Sequence, residues 1–428
     1  AVKEIPDSNY FEFQSAQSTI HYIQSNMENA TYSFAVDPRS GQILQSHIFF
    51  SSEVEKQIDR NYIFQMLLTD PRVSFSGIND SIMGELIRRM ITHEVGHSLG
   101  FNHNFYASYA VNVEDYRNRD SLMKNGLTPS IMDYARYNYI AQPVNGIDFD
   151  KGLIYSIGKY DEWALKWGYT YYDNSISSTE QQSRLNTMLK LRNQSPVYFY
   201  LPKENDCRAV AESLGNDHCE ASRYGMNTLE KIARRYISES GGLDSARKLQ
   251  LNTGLYFTYS NYINHVLSDF TNPVYSIDPA GKETYSYLPV AKQENAIAFL
   301  NEYAFRLPKW FYETLDNMGS DSLKEAYLKN IAIEIIMTLL NQEKLIAMTD
   351  KEHLGQSETV FALVRTALSN SRNDSLNAGY RKELQSAYLR RMKRAISLNM
   401  FDSNSNAAKL LKREIAFFEP ATLTNNPN

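Results

Sequence analysis

The sequence predicts an α+β fold: a small N-terminal sheet, one long helix, then a mostly α-helical second half. Two observations carry this. Apolar and polar residues alternate through much of the first fifty positions, the mark of half-buried strands, and from Ser51 the apolar residues recur at spacings of three and four. A chain of 428 residues also exceeds what one hydrophobic core usually organises, so more than one domain is expected.

In chain order, STIHYIQS, ATYSFAV and GQILQSHIFF read as strands, with DPRSG (37–41) as the turn between the last two. From Asp80 to Leu99, residues Ile82, Met83, Leu86, Ile87, Met90 and Ile91 form one helical stripe; Asp80 or Ser81 is the expected N-cap and Gly100 the end. Residues 101–150 carry no clean period, as in loops that bear function. Beyond them, helices are expected near 159–167, 180–192, 220–239, 243–270, 291–305, 321–347, 356–369 and 377–398, interrupted by a hairpin in PVYSIDPAGKETYSYLP.

Composition narrows the function. The chain is 43% hydrophobic and 22% charged, which excludes a disordered protein. With 44 basic against 49 acidic residues and no basic run, it carries no nucleic-acid footprint. The apolar stretch Ile331–Leu340 is too short to span a bilayer and reads as a buried helix. AVKEIPDSNYF has no basic or apolar leader region, so no signal peptide is expected within this chain. Cys207 and Cys219 suit either a local disulfide, which would fit an extracytoplasmic protein, or two free thiols. His218 beside Cys219 raises a second metal site, for which the cysteine spacing is poor.

Residues 93–103 read HEVGHSLGFNH and hold three of the eight histidines. On a helix, His93 and His97 stack one turn apart, about 6 Å along the axis, which suits two imidazoles on one Zn²⁺. Glu94, rotated about 100° from His93, would sit beside a water activated by the metal and act as general base. His103 would lie about 240° round and about 9 Å onward from His97 if the helix continued. Gly100 permits the left-handed turn that ends the helix and returns His103 as third ligand. Three protein ligands leave a fourth position open, as in catalytic rather than structural zinc. The alternative third ligands, Glu114 or Asp115, leave Gly100 unexplained.

HEVGHSLGFNH resembles the HExxHxxGxxH motif of the metzincins, and SIMDY (130–134) resembles their Met-turn. The resemblance implies a metzincin-like catalytic domain, a small mixed sheet over an active-site helix, at residues 1–165. A mainly α-helical domain follows at 166–428. It makes Met132 an apolar floor beneath the metal and Tyr134 a partner of the oxyanion. DPRSGQILQSHI, PSIMDYARYNYIAQP, IGKYDEWALKWGY and ASRYGMNTLEKI extend it to the large secreted zinc metalloproteases of Bacteroidetes-type bacteria. In those relatives a strand and a helix of the catalytic domain precede the point where this chain starts, and the proteins act in the periplasm, at the surface or outside the cell.

The function implied is a zinc endopeptidase with a peptide or protein substrate. GQILQSHIFF (41–50) is the expected edge strand for backbone pairing with substrate. Arg136 would reach a substrate carboxylate, or else pair with Asp133 or Asp161. Trp163 and Trp167 are expected chiefly in core packing. His21, His47, His265 and His353 stand isolated in the sequence and receive no role. An inactive zinc-containing scaffold, or a zinc exopeptidase or amidase, are the rival readings; Glu94 argues against the first.

Overall fold

The computed structural model describes residues 18–147, 157–173, 175–190, 194–201, 205–277, 282–317, 320–350, 354–369 and 375–419. The leader reading of AVKEIPDSNYF, the tip of the hairpin at 278–281 and His353 lie outside them. The protein is α+β. Strands β1 (Thr19–Ile23), β2 (Ala30–Val36) and β3 (Ile43–Ser51) form a mixed sheet of order β1-β3-β2, with β1 parallel and β2 antiparallel to β3. The β2–β3 hairpin is closed where Asp37 N–H donates to the Gln42 carbonyl (2.9 Å). This order corrects the expected edge. Segment 41–50 is central, because the hairpin occupies one side of it and β1 the other; among the described residues the free edge near the histidines belongs to β2.

Helices α1 (Glu53–Met66) and α2 (Asp80–Ser98) follow, with α2 packed on β2 and β3. The cap of α2 is Asn79, one residue before the expected pair: its side chain accepts from Ile82 N–H at 2.9 Å. Short helices α3 (Tyr106–Tyr109) and α4 (Arg119–Asn125) lie in the irregular region, which leads to α5 (Lys159–Tyr169) and α6 (Ser178–Leu189). The second half holds α7 (His218–Glu239), α8 (Ser245–Thr271), hairpin strands β4 (Val274–Ile277) and β5 (Glu283–Ser286), α9 (Val290–Tyr303) and α10 (Lys309–Asp316). It ends with α11 (Asp321–Leu339), α12 (Gln342–Met348), α13 (Leu354–Ser369), α14 (Ala378–Ser397) and α15 (Asn406–Phe418).

The expected helix 321–347 is two helices. Asn341 caps the second by accepting from Lys344 N–H (3.1 Å), a break that the apolar run across it conceals. That run buries Ile331, Ile335, Ile336 and Leu339 but exposes Ile333 and Met337. Trp163 is half-buried against Tyr160 and Tyr198, and Trp167 is exposed, so neither is a core anchor. Among the described residues no helix is long and apolar enough to cross a membrane.

One continuous core joins the halves. Phe64 of α1 and Phe75 both meet Tyr236 of α7, with ring centroids 6.4 and 5.5 Å apart. Arg247 of α8 pairs with Asp59 of α1 and donates to the Phe75 carbonyl (2.7 Å).

Candidate metal centre

The α2 helix delivers His93 and His97 one turn apart on its inner face, and its end redirects the chain. Gly100 adopts φ +86°, and Phe101 N–H bonds back to the Gly96 carbonyl at 3.1 Å. His103 thereby returns to α2, and the candidate ligand atoms of His93, His97 and His103 all lie within 4.8 Å of one another. His97 Nε2 and His103 Nε2 are 3.2 Å apart. Two ligands on a tetrahedral zinc with bonds of about 2.0–2.1 Å are separated by about 3.3 Å.

The tautomers suit a metal. His93 Nδ1 donates to the Ile131 carbonyl (2.8 Å) and His97 Nδ1 to the Phe101 carbonyl (2.7 Å), so each Nε2 keeps its lone pair. His93 Nε2 is buried with no hydrogen-bond partner, a costly position that a metal would satisfy. Burial pushes the His93 ring down to about 3 and His97 down to about 4, and lowers His103, favouring the neutral form that ligates metals. The donor set therefore fits Zn²⁺.

Met132 is fully buried against α2, where a Cβ at Gly96 would overlap its sulfur. The turn carrying Met132 is clamped by α5. Asp161 accepts from Ser130 Oγ (2.6 Å), Ile131 N–H (2.7 Å) and Gly158 N–H (2.9 Å), and a Cβ at Gly158 would strike the Pro129 carbonyl. Since Ile131 also orients His93, this clamp reaches the candidate ligands through one residue.

Glu94 lies in a pocket with Tyr134, Arg136, Arg89 and Met90, and burial raises its carboxyl to about 7 while Arg136 opposes the shift. The Tyr134 hydroxyl is 3.1 Å from His103 Nε2. The six site residues read from the sequence thus occupy one neighbourhood. Glu114 pairs instead with Arg117 (2.8 Å), and Asp115 accepts from Ser121 (2.8 Å). Arg136 pairs with Glu212 (3.1 Å) rather than Asp133 or Asp161, because those carboxylates face Ser108 and the Met132 turn.

With the three-histidine group assembled and Met132 packed against Gly96 of the same helix, the comparison with known families is decisive: residues 76–375 match the family described as Met-zincin. The chain belongs to the Met-zincin family. It is accordingly a zinc metallopeptidase, and neither the curated proteins nor the solved structures contain a match to it.

Some residues of this Met-zincin site left no sequence signal. Tyr32 of β2 stacks on His97 (ring centroids 4.1 Å, interplanar angle 13°) across 65 positions, and Glu212 reaches Arg136 across 76. Gly96 lies within the motif, where its small size was the available clue. Elsewhere, His21 and His47, isolated in sequence, meet across the β1–β3 ladder with ring nitrogens 3.3 Å apart. His218 pairs with Asp269 (2.8 Å), and Cys207 and Cys219 are buried free thiols.

Proposed function

We propose that this Met-zincin chain is an endopeptidase in which Glu94 is the general base and general acid, and His93, His97 and His103 hold the zinc. The observation that carries the reading is the β2 edge lying over the histidines, with Tyr32 packed on His97. An extended substrate can pair with such an edge and continue past the centre in both directions, which internal cleavage requires. When bound, zinc supplies the Lewis acidity that polarises the scissile carbonyl and makes water a competent nucleophile near neutral pH. Glu94 takes a proton from the attacking water and returns it to the leaving amine. A buried carboxyl held near 7 is suited to both transfers. The Tyr134 hydroxyl donates toward the developing oxyanion. Met132 and the Asp161 clamp fix the rings.

The proposal assigns catalysis to residues 1–165 and support of the cleft to the mainly helical 166–428. The resemblance to secreted proteases supports action outside the cytoplasm. The test is zinc content together with cleavage of a long unstructured substrate blocked at both termini, with and without chelator. Near one zinc per chain and chelator-sensitive internal fragments are expected. An intact blocked substrate beside trimming of the same substrate with free ends would support the exopeptidase reading, and stoichiometric zinc without cleavage of either the scaffold.

A further inference from the structure

We propose that Glu212, in the chain between α6 and α7, is a positioning residue for Tyr134 and acts through Arg136. The inference rests on the peptidase reading above, in which the Tyr134 hydroxyl serves the oxyanion, and it gives the helical half a part in that step.

The strut can be followed atom by atom. Glu212 Oε1 lies 3.1 Å from Arg136 Nε, and both side chains are half-buried, where an ion pair is screened less than at the open surface. The Arg136 guanidinium carbon is 5.2 Å from the centroid of the Tyr134 ring, within reach of cation–π attraction. The same ring packs against His93, His103 and Phe105, with centroids 5.2, 4.9 and 5.1 Å away. Its hydroxyl is 3.1 Å from His103 Nε2, a nitrogen assigned to zinc. In the loaded protein that hydroxyl needs another partner, and the pose of the ring decides which atom it meets.

The backbone of Glu212 departs from the ordinary. It sits at φ +64°, and among the described residues only one other non-glycine residue, Asn399, has a positive φ. Glycine holds this conformation without the crowding of a β-carbon, so a glutamate here points to a use for its side chain rather than to the needs of the turn. The surrounding fold maintains it. The Asn261 amide of α8 donates to Glu212 Oε2 (2.8 Å), and Leu214 N–H donates to the buried Tyr139 hydroxyl (3.0 Å). One carboxylate oxygen therefore answers to α8 and the other to Arg136, which joins the helical half to the segment that follows the Met132 turn.

The counter-charge also keeps Arg136 at its post. Glu94 lines the same pocket as Arg136, so a guanidinium released from Glu212 can turn to the catalytic carboxylate instead. A loss routed through Tyr134 and one routed through Glu94 are separable, because only the first vanishes once Tyr134 has no hydroxyl.

The experiment uses zinc-loaded full-length protein and an internally quenched peptide, blocked at both ends. Glu212→Gln keeps the shape and removes the charge, and Glu212→Gly suits φ +64° and so guards against misfolding. We expect each to lower kcat about tenfold with KM within about twofold and zinc content unchanged. Glu212→Gly should melt at or above the parent's temperature. Tyr134→Phe should lower kcat at least as far, and adding either Glu212 substitution to it should lower kcat no further. Parent-like kcat in both Glu212 variants, losses that multiply with that of Tyr134→Phe, or activity that falls only in step with zinc content or melting temperature overturns the strut. Crystals of the metal-free parent and of Glu212→Gly supply a readout without turnover. The Tyr134 ring should leave its place beside His103 in the variant, and an unmoved ring overturns the inference. A zinc-loaded parent that cuts no peptide overturns the peptidase reading, and the crystals then decide the strut by themselves.

Discussion

Glu94 and Gly96 neighbour the candidate zinc-binding histidines and affect different quantities. Replacing Glu94 with Gln keeps the size and removes the base, so zinc content should be unchanged while kcat falls about 10²–10⁴-fold. Metal analysis beside single-turnover kinetics checks this, and an active Glu94→Gln variant would remove Glu94 from the mechanism. Gly96→Ala should act on the fold instead. The added methyl overlaps the sulfur of Met132, which is fully buried. Overpacking of this kind costs about 1–3 kcal/mol. Thermal melts should show it, and zinc should bind more weakly because a displaced Met132 shifts the neighbouring Ile131 carbonyl that orients His93; an unchanged melt would mean that Met132 can relax. The three-histidine cluster was legible in the sequence because helix phase and one glycine turn fix these nearby histidines relative to each other. Tyr32 was not, since stacking on His97 depends on where a strand lands.

At the scale of elements, the same limit explains the misplaced edge strand. Alternation reveals that 41–50 is a strand but not which neighbours pair with it, and β1 takes the side that sequence left vacant. The two-helix break at Asn341 was hidden because apolar residues continue through it. The α5 contribution was also hidden: its helix was expected, whereas its clamp on the Met132 turn depends on a contact across 30 residues. Asp161→Ala should remove three hydrogen bonds to one buried carboxylate, a loss of about 2–4 kcal/mol since bonds to charged groups are worth about 1.5–3 kcal/mol and are not additive. Ile131 would lose its anchor and with it the carbonyl that orients His93. A competition assay should therefore show weaker zinc binding, whereas unaltered affinity would confine α5 to stability. In α8, fully buried His265 is held down to about 3 by burial and by nearby His218. Unfolded, it titrates near 6.5, so between about 3 and 6.5 the unfolded state binds the extra proton and stability is lost as pH falls. Between pH 6.5 and 4.5, urea unfolding of the parent should lose about 2 kcal/mol more than that of His265→Gln. Equal losses would contradict the buried neutral ring.

Across the whole molecule, catalysis and support are proposed for different parts of a chain whose core is shared. The inner face of α1 is covered by the helical half: Gly254 of α8 is close enough that a Cβ there would meet Arg60 and Phe64 at 3.0 and 3.1 Å, and Tyr236 closes over Phe64 and Phe75. A fragment ending at residue 165 would uncover Phe64 and Phe75, both buried against Tyr236 in the intact chain, and leave Asp59 without its Arg247 partner. Burial of one such side chain contributes about 1.5–3 kcal/mol, so losing several approaches the whole stability of a domain of this size, about 5–15 kcal/mol. The fragment should bind a hydrophobic dye and lack a cooperative melt, and the intact protein should unfold in one transition seen alike by far-UV and tyrosine signals. Zinc removal should lower that single transition rather than create a second one, because the metal stabilises the folded state of a core that the two halves build together. Two separated transitions, the lower alone shifting with chelator, would instead make the zinc-bearing half an independent folding unit and would limit the helical half to shaping the cleft.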